Sequence, residues 1–518
     1  MTIPIDWPTR DPVAHRVAAT PQRTALIDVA TDTEWTFREY DRRIDRVAAA
    51  LESAGLAGER LGVLMDTRPA FATLFFAAMR TGTTVVALNV RETTGELAAK
   101  VTRTDLTAIV CERETEATAL EVATETDSVD VHSVDEPQRD GTWALEKADT
   151  SAISIEPVDL ARDETQLIMF TSGTSGEPKA VRLTVGNLVA SATASAFRLG
   201  VGPDDRWLCC LPMYHMGGLA PVVRSALYGT PVVIQRAFEP DATARVLEDY
   251  SITGVSLVPT MCKRLLDAGW EPADALRFVL LGGAPASSEL LERCREHDVP
   301  VCPTYGMTET ASQIATALPA EIDAHEGTVG QPLMFTDVTV VDETDTPLEP
   351  GQQGELVVSG PTVTPGYLDD DHTEAAFDER GLHTGDVGYR DADGRLWILN
   401  RRSDRIVTGG ENVDPGEVIA VLRGHPHVAD AAVVGLTDDE WGERVAALVV
   451  PDTDSSSDDS TLEPRALLAH CDDHLAGFKQ PKTIGIVDAL PRTASGTVDR
   501  DAVRERLLED GIDVSETT

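Results

Sequence analysis

Short apolar runs alternate with helical stretches from residue 24 to residue 306, and this alternation limits the fold more than any other feature. TALID (24–28), LGVLMD (61–66), TVVALN (84–89) and TAIVC (107–111) read as strands. WLCCLPM (207–213), TPVVIQ (230–235), GVSLVP (254–259), RFVLLGG (277–283) and VPVCPTYG (299–306) continue the pattern. Between the second and third strands, PAFATLFFAAMRTG reads as a buried helix closed by Gly82. Continuously apolar strands separated by helices imply parallel sheets covered on both faces. From about residue 327 the texture changes to Gly/Pro turns and short strands (VTVVD, GELVVSG, GRLWILN), which predicts a small β subdomain. The predicted fold is therefore α/β. Residues 1–400 form a large N-terminal domain of parallel sheets wrapped by helices plus the β subdomain, and residues 401–518 a small mobile α+β domain. Residues 112–140 and 452–464 read as polar, acidic surface loops.

Charge narrows the function. The chain carries 87 acids against 44 bases, a net of -43. Six of the 44 bases are lysine (Lys100, Lys147, Lys179, Lys263, Lys479, Lys482) and the rest are arginine. Acid spread this evenly suits a cytoplasm at very high salt, where screening confines repulsion to a few ångströms. Nothing forms the basic stripe that nucleic-acid binding requires. No run approaches the roughly 18 apolar residues of a membrane span. The acidic start MTIPIDWPTRDP is no signal peptide, so the chain is expected to be cytoplasmic. Seven cysteines, none in a CxxC pair, read as reduced structural thiols.

The chemistry lies at strand ends. LIMF (167–170) leads into Thr171, Ser172, Gly173, Thr174, Ser175 and Gly176, with Lys179 three residues on. Glycines let backbone N–H groups approach phosphate oxygens, hydroxyls add donors, and the lysine adds a mobile charge. The spacing is not the Walker form, which ends GK[ST]. A lysine in this loop, in a chain with so few, argues for a phosphate cradle over a plain polar loop. LLGGAP (280–285) ends a strand in Gly282, Gly283 and Ala284, where a ligand can approach closely. PTYGMTET (303–310) supplies Tyr305 and Gly306, the hydroxyl of Thr308, and Glu309 as a ligand for Mg²⁺. In YHMGGL (214–219), His215 follows another strand end; a lone histidine is commonly structural, but this place gives it a pocket role. Asp386, between glycine turns, can accept both hydroxyls of a ribose. Arg401 begins the third texture, and Gly409–Gly410 form another close-approach turn.

Together these stretches resemble the signature set of the acyl-adenylate-forming (AMP-binding) enzymes, along residues 20 to 505 and in the family order. DDRWLCCLPMYHMGGLAPVVRSALYGTPVVI, PTYGMTETASQIAT and NRRSDRIVTGGENVDPGEV look most like the o-succinylbenzoate–CoA ligases of menaquinone biosynthesis, here of haloarchaeal type. The resemblance implies three small-molecule substrates: a carboxylic acid, ATP with Mg²⁺, and coenzyme A. It implies that Thr171–Gly176 and Lys179 hold phosphates and that Gly282–Ala284 and Tyr305 line the adenine. Thr308 would contact phosphate, Glu309 bind Mg²⁺, and Asp386 and Arg401 hold the ribose. Ser403 would be the hinge, and Gly409 and Gly410 would border the CoA path. Arg224 is the candidate for gripping the acid's second carboxylate, against the plain reading of an arginine on a helix surface. A homo-oligomer is compatible with the resemblance.

One position departs from the family. PRTASGTVDR (491–500) places Thr497 where relatives carry a lysine that reaches the carboxylate during adenylation. Lys479, Lys482 and Arg500 are the nearby cations in sequence. Three functions stay open at this point: the o-succinylbenzoate ligase, another aryl- or medium-chain acyl-CoA ligase, and a nucleotide- and CoA-binding homologue with weak adenylation.

The charge balance makes a first prediction. At a net of -43 the unscreened fold repels itself, so the melting temperature should rise steeply from dilute buffer to molar KCl. A melting curve indifferent to salt would remove the high-salt reading.

Overall fold

The computed structural model describes residues 9–126, 129–145, 155–171, 178–284, 286, 288–342, 344–401, 406–413, 415–452, 462–491 and 498–514. The chain divides into two compact units. Met1–Val90, Lys100–Phe170 and Ala180–Leu399 form the first; Arg91–Ala99, Thr171–Lys179 and Asn400–Thr518 form the second.

Two large sheets organise the first unit. In one, Val301–Tyr305, Phe278–Leu281, Gly254–Leu257, Trp207–Cys209, Val232–Ile234 and Thr24–Asp28 lie side by side and parallel. In the other, the parallel neighbours are Thr142–Ala144, Asp130–Ser133, Ala108–Cys111, Arg60–Leu64, Thr84–Ala87 and Thr165–Thr171, with Lys179–Thr184 at the edge. Strands such as Ala108–Cys111 and Phe278–Leu281 are buried at every position, as expected of sheets covered on both faces. The predicted helix is Pro69–Thr81. Pro69 opens it, Gly82 closes it at φ 67°, and nearly every residue is buried. A third, antiparallel sheet of Asp337–Val341, Gly354–Ser359, Gly381–Arg390 and their neighbours is the β subdomain.

Two expectations need correction. Residues 112–140 are not a surface loop: they carry the helix Glu116–Glu125 and the strand Asp130–Ser133. Ala119, Val122 and Val131 supply the buried stripe, and Glu116 is itself buried, accepting the backbone N–H groups of Gln138 and Arg139. The acid that suggested solvent is a loop anchor. The strand expected over 207–213 stops at Cys209. Thr67 takes over there, donating to the Leu211 carbonyl at 2.9 Å and accepting from the Met213 N–H at 3.1 Å.

In the second unit, Val428–Asp438 and Gly442–Pro451 form a long antiparallel pair, with Thr483–Ile486 parallel to the latter. Both faces are covered. Val433, Val445, Ala447 and Val449 pack with Val418, Leu422 and Leu467. Val434, Ala446 and Leu448 pack with Val503 and Leu507 on the other side.

Arg80 ties the first unit's helices together. Its guanidinium is buried; Nε lies 2.9 Å from Asp11, the cap of helix Pro12–Ala19, and Nη2 2.6 Å from Asp41 of helix Phe37–Ser53, with Asp45 a third partner. Removing one side of such a pair strands a buried charge. Arg80→Leu should therefore cost about 3–5 kcal/mol in denaturant unfolding. A loss below 1 kcal/mol would mean that the cluster is solvated.

Candidate active site

The parallel strand Val301–Tyr305 ends in a turn that only glycine permits. A Cβ on Gly306 would run into the Ser312 carbonyl, because the chain folds back through a 3₁₀ turn at Thr308–Thr310. Ala311 and Ser312 then take positive φ values, 52° and 122°, which L-residues adopt only under constraint. The constraint is visible at Ala311, whose carbonyl accepts from the buried Ser191 hydroxyl at 2.8 Å.

This turn brings two acids to the strand end. Tyr305 Oη donates to Asp386 Oδ2 at 2.7 Å. Asp386 is buried, and its backbone N–H donates to Thr384 Oγ1 at 3.1 Å. Glu309 is also buried, and its carboxylate accepts from the Tyr367 hydroxyl at 3.0 Å. The Glu309 carbonyl accepts from Thr364 N–H at 2.7 Å. Sequence reasoning missed Tyr367; the one signal was an aromatic directly after Gly366, which takes φ 138°. A single buried carboxylate beside hydroxyls is a donor set that suits Mg²⁺, which takes one or two carboxylates and fills its shell with substrate phosphates.

Gly282 and Gly283 follow the adjacent strand. A Cβ on Gly282 would stand 2.7 Å from Thr304 Cγ2, and Gly283 has φ 82°. The small residues thus let two strand ends and Ala284 crowd together. His215 caps the helix Met216–Tyr228 instead of ending a strand, and its ring meets Tyr214 edge-on at 4.9 Å. The glycines after it serve packing: a Cβ on Gly218 would strike the Pro212 carbonyl.

Arg224 is not a surface residue. Its relative exposure is 2%. Nη2 donates to Ser312 Oγ at 3.1 Å, and the guanidinium lies 5.3 Å from the centre of the Trp207 ring. Nε is buried without a partner, and among the described residues no carboxylate pairs with the group. Burial pulls the guanidinium below its ordinary pKa.

Other expected site residues belong to the second unit. Thr171 ends the strand Thr165–Thr171 and Lys179 opens Lys179–Thr184. Ser172, Gly173, Thr174, Ser175, Gly176, Ser403 and Thr497 lie outside the described residues, and of Arg401 only the backbone is described, closing the strand Leu396–Arg401. Gly409 and Gly410, at φ 57° and 83°, make the two-residue turn between Ile406–Thr408 and Glu411–Val413. A Cβ on Gly409 would stand 2.7 Å from Trp441, a half-exposed ring that the sequence gave no reason to select. Lys479 is committed elsewhere: Nζ lies 2.7 Å from Glu96 and 2.9 Å from Glu417. Burial works against its charge, but the two carboxylates outweigh it and hold the ammonium above its ordinary pKa.

Glu112, Glu114 and Asp135 form the one acidic group with metal-binding spacing among the described residues. Arg68 already bridges two of them, 2.7 Å from Glu112 and 2.8 Å from Asp135, so a guanidinium supplies the cation.

This arrangement, in which hydroxyls, close-approach glycines and Glu309 at parallel strand ends meet Asp386 of the antiparallel sheet, agrees with the comparisons to known proteins. The AMP-binding enzyme family model matches residues 13–368, and the model of that family's C-terminal domain matches residues 417–497. The chain belongs to the AMP-binding enzyme family. It is 36% identical to the 2-succinylbenzoate–CoA ligase of Bacillus pumilus over 494 residues, 95% of this chain and 97% of that protein. It is 34% identical to the ligase of the same description from Listeria monocytogenes, over 95% of this chain and 98% of that one. Among solved structures, a double mutant of o-succinylbenzoate CoA synthetase from Bacillus subtilis, bound to its product analogue OSB-NCoA, superposes with a TM-score of 0.86. It is 32% identical, covering 97% of this chain and 99% of that one. The same enzyme in complex with the acyl-adenylate intermediate OSB-AMP gives a TM-score of 0.71 at 32% identity, with the same coverage. Among the described residues no helix is long and apolar enough to cross a membrane.

Proposed function

We propose that this protein is an acid–thiol ligase that joins o-succinylbenzoate to coenzyme A at the expense of ATP, through an acyl-AMP intermediate. The observation that carries the acid's identity is Arg224. A buried guanidinium with an unpaired Nε and, among the described residues, no acidic partner is costly in the free protein. A substrate carboxylate relieves that cost, and o-succinylbenzoate has one to spare. Its succinyl carboxylate reacts; its ring carboxylate pairs with Arg224, beside Ser312.

In the first step a carboxylate oxygen attacks the α-phosphorus of ATP. The bond to pyrophosphate breaks, and acyl-AMP forms. Thr171, Lys179 and the loop Ser172–Gly176 hold the phosphates, and Thr308 adds a hydroxyl. Glu309, held by Tyr367, would hold Mg²⁺, which would supply positive charge to the phosphates. Tyr305, with Gly282–Ala284, lines the adenine, and Asp386 and Arg401 hold the ribose. In the second step the thiol of coenzyme A attacks the acyl carbon, loses its proton, and displaces AMP. Gly409 and Gly410 border the pantetheine path, Trp441 offers a flat exposed face beside them, and Ser403 is the hinge. His215 walls the acid pocket. Composition supports a cytoplasm of high salt as the setting.

Arg224→Leu tests the acid. The Michaelis constant for o-succinylbenzoate should rise on the order of tenfold to a hundredfold, and that for ATP should stay put. Because leucine removes an unpaired buried charge, the free variant should melt no lower than the parent. A variant that still prefers the di-acid over its mono-acid analogue would leave a general aryl-CoA ligase as the better reading.

Two substitutions test the adenylation machinery. Lys179→Ala should lower pyrophosphate release on the order of a hundredfold. Glu309→Gln should raise the Mg²⁺ concentration needed for half-maximal turnover while the fold persists. Pyrophosphate release that is already negligible in the parent, with thioester still formed from supplied acyl-AMP, would favour a homologue that has lost adenylation along with the lysine that Thr497 replaces.

A further inference from the structure

Asp386 does not stand on regular strand. The antiparallel register pairs Glu355 with Val387 and then Val357 with His383, so Leu356 alone faces Thr384, Gly385 and Asp386. Those three residues bulge out of the ladder, with Gly385 at φ 72°. A bulge re-aims a side chain and leaves backbone groups without ladder partners. Here side chains supply those partners. Thr384 Oγ1 donates to the Leu356 carbonyl at 2.8 Å and accepts from Asp386 N–H. The Gly385 N–H donates to Glu355 Oε1 at 3.0 Å. Glu355 is buried, and its second oxygen lies 3.3 Å from His383 Nδ1. The other ring nitrogen of His383 lies 3.5 Å from Asp378, which in turn accepts from the N–H groups of Arg380 and Gly381.

We infer that Glu355 is a positioning residue for the nucleotide. Its carboxylate holds the bulge that presents Asp386, and His383, braced by Asp378, fixes the carboxylate in turn. Glu355 is buried on a strand whose next residues, Leu356, Val357 and Val358, are apolar core, and its described partners are the Gly385 N–H and the His383 ring. An acceptor is needed because the bulge takes Gly385 out of the ladder with Gly354–Ser359, and the Glu355 carboxylate accepts its N–H. The inference rests on reading Asp386 as the ribose ligand, and the tests of the two are separable.

The experiment uses the full-length enzyme with Glu355→Leu, Glu355→Gln, Asp386→Ala and the Glu355→Leu/Asp386→Ala pair, each assayed for the Michaelis constants of ATP and of the acid. Glu355→Leu should raise the constant for ATP about tenfold and that for the acid less than twofold, the signature of one lost hydrogen bond to a charged group. Glu355→Gln keeps an oxygen for Gly385 and should recover most of the loss. In the Asp386→Ala background Glu355→Leu should add less than twofold, because its effect passes through Asp386. Equal increases for ATP and acid, or effects that multiply in the pair, would overturn the inference. If Asp386→Ala alone leaves the ATP constant unchanged, the ribose reading fails instead. Should the leucine variant not fold, Glu355→Asp, one methylene shorter, carries the same comparison.

Discussion

The hydrogen bond from Tyr305 to Asp386 joins the end of a parallel strand to a bulge in an antiparallel sheet. Each side is prepared separately. On one side Gly306 must lack a Cβ so that the chain can double back against Ser312. On the other, Gly385 must take a left-handed φ and Glu355 must accept its N–H. Neither sheet could bring the aromatic and the acid together by itself. The aromatic comes from the end of a strand that runs parallel to Phe278–Leu281 on one side and antiparallel to Ala315–Thr316 on the other, while the acid comes from an antiparallel sheet where a local bulge is tolerated. The chain's change of texture near residue 327 is thus part of the site.

Much of this was legible because the constraints are local. A helix that is apolar all round and closed by Gly82 declares its burial, and strands such as Phe278–Leu281 declare theirs. Glycine pairs at strand ends point to close approach whatever the partner. Partners far apart in sequence left no such mark. Tyr367 reads as a turn residue until it meets Glu309 across 58 positions, and Glu355 reads as the polar member of an apolar strand until Gly385 is opposite. The stretch 112–140 misled for a related reason. Acid there suggested solvent, but Glu116 is buried because two backbone N–H groups converge on it, and composition carries no information on convergence.

Arg224 shows how an acidic protein handles a buried cation. Arg80 and Arg68 are matched with carboxylates from several elements, as an abundance of acid allows. Arg224 is matched with a serine hydroxyl and the face of Trp207. In a chain with two acids for every base, a buried guanidinium without an acid is a choice of location more than of supply. That contrast gives the residue its weight in the substrate assignment, because an arginine serving stability alone would have the partners Arg80 has.

The same accounting bears on the threonine at 497. A lysine that reaches a reacting carboxylate must be free to leave its resting partners. Lys479 is not. Its ammonium sits between Glu96 and Glu417, and withdrawing it would leave two partly buried carboxylates facing each other. Pulling a buried ammonium away from two such partners costs several kcal/mol, comparable to what a preorganised charge contributes to a transition state. Lys479 could therefore assist adenylation only by giving back what it gained. The proximity in sequence that made it a candidate reflects its place in the second unit's core, beside Phe478 and the helix Pro415–Gly424, where its charge is structural. On the proposed reading, adenylation draws its positive charge from Lys179, from Mg²⁺, or from a cation that, unlike Lys479, has no carboxylates to abandon.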